Sequence, residues 1–254
     1  MNNPSEPPIS LSEQSCGAND TDNTNHLRVM LEIGLRGKKV VAVAADWPGL
    51  ERGATTEEAA IERLLFYVPR YAPVAKLAGM ETEFASCTSG TAGIAVDRAV
   101  EVVEQYPGTG STDFWGISFE FSSIDWQAMS GEELERELTL MRACWAFFDD
   151  VRSRVSAEML KGPRGGGRDR DRIVRHVLFS ELDFTKKVGV LTPWEEMLTD
   201  GGLEAHRDAY CNAIQAFHSE GQMARKWPLR YLIRHTAFHM LDHAWEMQDK
   251  DMTN

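Results

Sequence analysis

The sequence predicts an α+β protein in which a small sheet-containing segment precedes a helical half. Three observations carry this prediction. Two strand-like runs flank Gly37, apolar residues recur at helical spacing from residue 130 onward, and a chain of 254 residues is long enough for two domains. We therefore divide the chain into a tail (1–26), an α/β domain (27–125) and a four-helix domain (126–254).

The composition is that of an ordinary globular protein, and its charge limits the classes of function. Hydrophobic residues make up 43%, charged residues 26%, and the formal net charge is -12. An acidic surface is repelled by nucleic-acid phosphates and anionic lipids, so we expect neither DNA nor a membrane as partner. The sequence shows no signal peptide, no membrane-length apolar run and no CxxC pair among its four cysteines. These features predict a cytoplasmic protein.

The first residues and the first two strands are predicted from local composition. Residues 1–26 are polar and contain proline, which predicts a disordered tail. Leu27–Ile33 alternates apolar and polar residues, and a β-branched run follows from Val40, so the two predict a β-hairpin across Gly37.

A turn and a capped helix follow the hairpin. Pro48 and Gly49 are a turn signal, and Thr55 or Thr56 can cap the next helix. The apolar side of that helix is predicted to comprise Ala60, Leu64 and Val68. Further along, we predict short β segments near residues 83–85 and 114–121, with a helix at about 96–104 between them.

The order of these features resembles the N-terminal fold of HicB-type antitoxins. The resemblance is carried by Asp46-x-Pro-Gly, then Gly53, then Thr-x-Glu-Glu-Ala behind a hairpin, and it covers roughly residues 28–70. It implies a HicB-like α/β module whose sheet edge can pair with a protein. HicB proteins usually add a small DNA-binding domain, whereas this chain continues differently, so the resemblance does not imply an antitoxin.

The sequence of the second half, residues 126–254, predicts a four-helix bundle. Ser130-Gly-Glu-Glu is a capping box with Glu133 at the third helical position, and an apolar stripe follows it. Further helices are predicted over about 171–188, over about 203–219, and after the Trp227-Pro228 pair. Four such helices favour a bundle with sites built between facing helices.

Three histidines occupy inward positions of this predicted bundle. His239 and His243 lie four residues apart on the apolar stripe of the fourth helix, while His235 lies one step off it. His176 lies beside Val177 on the inward face of the second helix. Buried imidazoles need partners, and one metal ion supplies a partner to all of them. The pattern therefore predicts a divalent metal site with at least one open position.

The helical half resembles the DinB-like superfamily, which includes mycothiol-dependent maleylpyruvate isomerases and bacillithiol transferases. The resemblance covers about residues 130–254 and rests on the four-helix layout, on His176 in the second helix and on His239-x-x-x-His243 in the fourth. It implies that His176, His239 and His243 bind a divalent metal ion, most often zinc or nickel.

Two functions of different classes follow from this sequence. The first is a metal-dependent thiol S-transferase, isomerase or hydrolase that acts on a small molecule or a low-molecular-weight thiol, with Glu181 and Glu246 as candidate catalytic residues for proton transfer. The second is a non-catalytic, protein-binding regulatory module of HicB type with a structural bundle, bound to a protein partner or to itself as a homodimer. His235 is expected to face solvent or the N-terminal domain.

Overall fold

A computed structural model describes residues 26–89, 100–162 and 167–253 of the chain. Apart from His26, the predicted disordered tail lies outside the described residues. The predicted α+β class is confirmed, because the described residues combine long helices with a small mixed sheet.

Among the described residues, the sheet has four strands in the order β3-β2-β1-β4. They are β1 (Leu27–Ile33), β2 (Val40–Ala44), β3 (Glu51–Ala54) and β4 (Val100–Pro107). The predicted hairpin is confirmed, since β1 and β2 pair antiparallel with Ile33 opposite Val40. β3 extends this antiparallel arrangement, whereas β4 joins the other edge of β1 in parallel.

The first helix covers the sheet. α1 (Glu57–Leu77) begins after Thr56, whose side-chain oxygen accepts a hydrogen bond from the Ala59 amide at 3.2 Å. Thr56, rather than Thr55, is therefore the cap. The three apolar residues predicted to face inward, Ala60, Leu64 and Val68, are all buried.

Three short predictions between residues 83 and 121 are wrong. The segment 83–85 lies in helix α2 (Glu81–Thr88), and residues 100–104 of the predicted helix lie in β4; residues 96–99 are outside the described part. The predicted strand at 114–121 begins instead in helix α3 (Gly110–Trp115) and continues without strand pairing among residues that the structure describes. Thr109 and Thr112 form a capping box that starts α3, and Gly116 ends it at φ 67°.

The described part of the helical half contains four long helices. They are α4 (Gly131–Arg154), α5 (Arg170–Thr185), α7 (Asp200–Ser219) and α8 (Leu229–Asp249), with the short α6 (Trp194–Met197) before α7. The predicted capping box is confirmed, because Ser130 and Glu133 exchange hydrogen bonds at 2.7 and 3.1 Å. Within the described ranges, no helix combines the length and the apolarity needed to cross a membrane.

The two halves share one apolar core. A single cluster of buried side chains includes Leu31 of β1, Tyr71 of α1 and Trp245 of α8. The Pro48-Gly49 turn lies beside this cluster, and the Pro48 carbonyl accepts a hydrogen bond from the Tyr71 hydroxyl at 2.9 Å. The division of the chain near residue 125 stays a prediction.

Gly49 is required where the turn meets α8, and this gives a first testable prediction. Its φ is +92°, and a Cβ there would lie 2.8 Å from Leu241 Cδ1 and 3.0 Å from the carbonyl carbon of Ala237. We expect Gly49→Ala to lower the free energy of unfolding by about 3 kcal/mol, since it adds a backbone clash to an unfavourable φ.

Gly37→Ala is the matched control for this measurement by urea denaturation. Gly37 also has a positive φ, +62°, but an added Cβ would meet nothing within 4 Å. We expect Gly37→Ala to lower the free energy of unfolding by only about 1 kcal/mol, because only the left-handed backbone conformation is unfavourable there. Equal losses in the two variants would show that the contact with α8 is unimportant.

Candidate metal centre

The structure brings the three predicted ligands together. His176 on α5 and His239 and His243 on α8 each offer a ring nitrogen, and these atoms lie within 4.8 Å of one another. The ring centroids are separated by 5.2 Å (His176 to His239), 4.9 Å (His176 to His243) and 4.7 Å (His239 to His243). The cluster can therefore hold a metal ion.

Local sequence explains this convergence. Asp169 caps α5 by accepting a hydrogen bond from the Arg172 amide, and the helix therefore starts at Arg170, six residues before His176. Residues four apart lie on one face of a helix, so His239 and His243 share the side of α8 that packs on α5. Ile173 and Val177 are fully buried beside His176 and fix this face of α5.

The cluster is buried at one end and open at the other. His243 is 7% exposed and His239 is half-buried, whereas His176 is exposed. The cluster is therefore closest to solvent on the His176 side. An ion bound by three protein nitrogens with one side accessible has the arrangement of a reactive site rather than of a closed structural site.

The protonation of these imidazoles suits metal binding. Although His176 is exposed to solvent as a whole residue, the partial desolvation of its ring, together with the neighbouring charges of His243 and Arg168, lowers its pKa to about 4. Burial also holds the pKa of His239 well below its usual value. Both rings are therefore neutral near pH 7, and the neutral form is the one that binds metal ions.

One buried ring nitrogen in the cluster makes no hydrogen bond within the described residues. This atom is His239 Nδ1. A buried polar atom without a partner is costly, and an ion on this nitrogen would supply one. The donor set of three imidazoles fits a divalent ion such as zinc or nickel.

Glu246 lies directly behind the cluster. Its Oε2 is 2.7 Å from His243 Nδ1, and its Oε1 accepts a hydrogen bond from Lys250 Nζ at 2.9 Å. Burial alone would raise the pKa of Glu246, but the hydrogen bonds from His243 and Lys250 outweigh it and lower the pKa to about 2. The carboxylate is therefore ionised, and both of its oxygens are engaged.

Glu181, the other candidate for proton transfer, has a different environment. It is fully buried on α5, and its Oε1 accepts a hydrogen bond from Arg207 Nε at 2.9 Å. Arg207 also donates to Asp149 at 2.6 Å. Burial raises the pKa of Glu181 despite the opposing charge of Arg207. The contacts of its carboxylate are those of an ion pair between α5 and α7, and its role in proton transfer stays a prediction.

Two residues near the cluster are not among the site residues that the sequence predicts. Lys250 is 4% exposed, and Arg168 Nη2 lies 3.9 Å from Glu246 Oε2. The spacing of Glu246 and Lys250, four residues apart on a helix, was a signal for their contact. Arg168 follows a glycine-rich segment, and nothing in its local sequence indicates that it approaches α8.

His235 is buried, so the expectation that it faces solvent is wrong. Its ring stacks on that of Tyr231 with 5.3 Å between the ring centroids, and it makes T-shaped contacts with Phe184 and Trp227. The alternative expectation, contact with the N-terminal half, is met by Phe119, whose ring lies 6.3 Å away.

The burial of His235 predicts a dependence of stability on pH. Burial lowers the pKa of His235 from 6.5 to about 3. Between these values the unfolded chain binds one proton more than the folded chain at this residue, so stability falls as the pH falls from 6.5 towards 3. We expect His235→Phe to reduce this slope by up to about 1.4 kcal/mol per pH unit.

Urea denaturation of the wild type and of His235→Phe at several pH values between 4 and 7 measures this difference. Phenylalanine keeps a flat ring against Tyr231 and carries no titratable group. Parallel plots of unfolding free energy against pH for the two proteins would contradict the prediction.

Comparisons with protein-family models, with curated proteins and with solved structures gave no match to this chain. The DinB-like and HicB-like resemblances therefore stay predictions, and the geometry of the cluster is the main indication of function.

Proposed function

We propose that this protein binds one divalent metal ion, zinc or nickel, through His176, His239 and His243 and acts with it on a small molecule. The observation that carries the proposal is the convergence of three imidazoles from two helices, with His176 exposed to solvent. A four-helix arrangement with histidines on its second and fourth long helices supports the DinB-like interpretation.

The reaction we propose is thiol S-transfer or isomerisation, with hydrolysis as the variant in which water takes the place of the thiol. When bound, a divalent ion supplies Lewis acidity that lowers the pKa of a water molecule or thiol in its open position. The chain itself contributes neutral imidazoles, access for the small molecule on the His176 side, and an apolar wall. Phe184 forms part of that wall, since its ring lies 5.7 Å from His239.

Cobalt substitution tests this function directly. Cobalt(II) in place of zinc reports its own ligands through visible absorption, so the metal-loaded protein can be titrated with 2-mercaptoethanol as the probe. We expect a thiolate-to-cobalt charge-transfer band, because a small thiol can enter from the open side. A spectrum that changes with neither thiol nor pH would show a closed site and contradict a reactive role.

The HicB-type regulatory function is the second candidate, and one observation favours it. Phe114 and Trp115 on α3 are 74% and 66% exposed, which is unusual for two adjacent aromatic residues. If the protein works through self-association, these rings are the surface that would be covered. Sedimentation equilibrium of the wild type and of the double variant Phe114→Ser, Trp115→Ser distinguishes a dimer built on this surface from a monomer.

A further inference from the structure

A chain of hydrogen bonds continues from the metal cluster along the last turns of α8. His243, Glu246 and Lys250 are linked at 2.7 and 2.9 Å through the two carboxylate oxygens of Glu246. The three residues are 7%, 2% and 4% exposed. Burial shields these contacts from water, so each group depends on its neighbour for a partner.

The carboxylate decides which nitrogen of His243 carries the proton. An ionised carboxylate only accepts hydrogen bonds, so His243 Nδ1 has to be the protonated nitrogen. The lone pair then resides on Nε2, which is the nitrogen left to bind an ion. A neutral imidazole free in water prefers the opposite tautomer, with its proton on Nε2. Without Glu246, the preferred form of His243 would point a proton at the ion.

Lys250 holds Glu246 in the required state. Its ammonium group donates to Oε1, the oxygen that His243 does not use, and its positive charge favours the ionised carboxylate. Arg168 is a second cation that faces this carboxylate, with its Nη2 at 3.9 Å from Oε2. Lys250 also lies at the C-terminal end of α8, where a cation interacts favourably with the helix dipole. Helix capping alone would leave the zinc affinity unaffected, and this separates the two roles.

We infer that Glu246 and Lys250 are positioning residues of the metal site: Glu246 selects the tautomer and orientation of His243, and Lys250 fixes Glu246. This inference rests on the proposed function and replaces the role of Glu246 in proton transfer, since both of its oxygens are engaged behind the ligand. Partners of this kind orient metal-bound histidines in general, and their loss typically costs 10–100-fold in metal affinity.

The first variant is Glu246→Gln, which keeps the shape of the side chain. An amide can either accept a hydrogen bond from Nδ1 or donate one to it, so it no longer selects one tautomer. We expect zinc affinity, measured by competition with a chromogenic chelator, to fall by roughly 10–100-fold. In the metal-free protein labelled with ¹⁵N-histidine, we expect long-range ¹H–¹⁵N spectra to show the proton of His243 on Nδ1 in the wild type and redistributed towards Nε2 in the variant.

Asp249→Asn is the matched control. Asp249 is on the same helix, undergoes the same acid-to-amide change, and pairs with Arg70 at 2.8 Å. We expect its zinc affinity and its His243 tautomer to equal those of the wild type. Lys250→Met is the second variant, and it keeps the test decisive even if Glu246→Gln fails to fold. It should keep the proton on Nδ1 and weaken zinc binding by a smaller factor than Glu246→Gln.

The outcomes separate the inference from the function on which it rests. A wild-type protein that binds neither zinc nor nickel contradicts the proposed function. A wild type that binds zinc, with affinity and tautomer unchanged in Glu246→Gln, overturns the positioning role of Glu246 alone. Unchanged zinc affinity in Lys250→Met overturns the role of Lys250.

Discussion

We expect His176→Ala and His239→Ala each to weaken zinc binding by roughly 100-fold or more, since loss of a ligand should exceed the 10–100-fold typical of an outer partner. His176 is the cleaner of the two positions. It is exposed on α5, so truncation there leaves no cavity and should change the free energy of unfolding very little. His239 is half-buried, and its truncation also removes packing against Phe184.

His235→Phe is the control for this comparison, since it removes a histidine one turn away on the same helix. His235 packs among Tyr231, Trp227 and Phe184 and is not part of the cluster. We expect its zinc affinity to match that of the wild type. The measurement is metal content after dialysis against a zinc buffer, followed by chelator competition. Equal, sub-stoichiometric zinc in the wild type and in His176→Ala would refute the site.

Helical periodicity explains why the histidine cluster was predictable. His239 and His243 replace apolar residues on the stripe of α8, and His176 lies one position from Val177 on α5, so histidines on two facing helices were visible in the sequence. The capping signals at Thr56 and Ser130 were predictable for a similar reason, because each acts within a few residues of the chain.

The parts that were missed depend on contacts distant in sequence. β4 was predicted as a helix in part, yet it pairs in parallel with β1 from more than 70 residues away, and the local sequence carries no sign of that partner. His235 lies off the apolar stripe but is covered by Phe119 and Phe184, which approach from two other segments. Propensity predicts what a segment prefers by itself, and tertiary packing decides these positions.

Arg234 illustrates the same limit most clearly. It is 4% exposed and forms two hydrogen bonds of 2.8 Å to the two oxygens of Asp125. It also donates to Ser118 Oγ at 3.0 Å and lies 3.6 Å from Glu51 Oε2. Ser118 in turn donates to the buried Glu32 at 2.6 Å. One cation of α8 therefore contacts a carboxylate of the sheet, Glu51, and one of the segment after α3, Asp125.

We expect Arg234→Met to lower the free energy of unfolding by about 3–5 kcal/mol, the usual cost of removing one partner from a buried ion pair. Methionine fills much of the volume but leaves Asp125 and Glu51 buried without their cation. The matched control is Arg142→Met, at a pair with Asp208 in which both side chains are about half exposed. Exposed pairs contribute little, so this variant should lose at most about 1 kcal/mol.

The loss in Arg234→Met should also grow as the pH rises. In the wild type, burial raises the pKa of Glu51 to about 7 even though Arg234 opposes this shift, and Arg234 helps to hold the pKa of Asp125 below its usual value. Without Arg234, the folded-state pKa values of both carboxyls are shifted upward from their values in the wild type. The folded protein is then most stable at low pH, where both carboxyls are protonated, and it loses stability as the pH rises through those values. Urea denaturation at pH 5 and pH 8 measures this difference. A loss that is equal at the two pH values, or no larger than that of Arg142→Met, would show that the cation is not what keeps these carboxylates stable in the interface between α8 and the sheet.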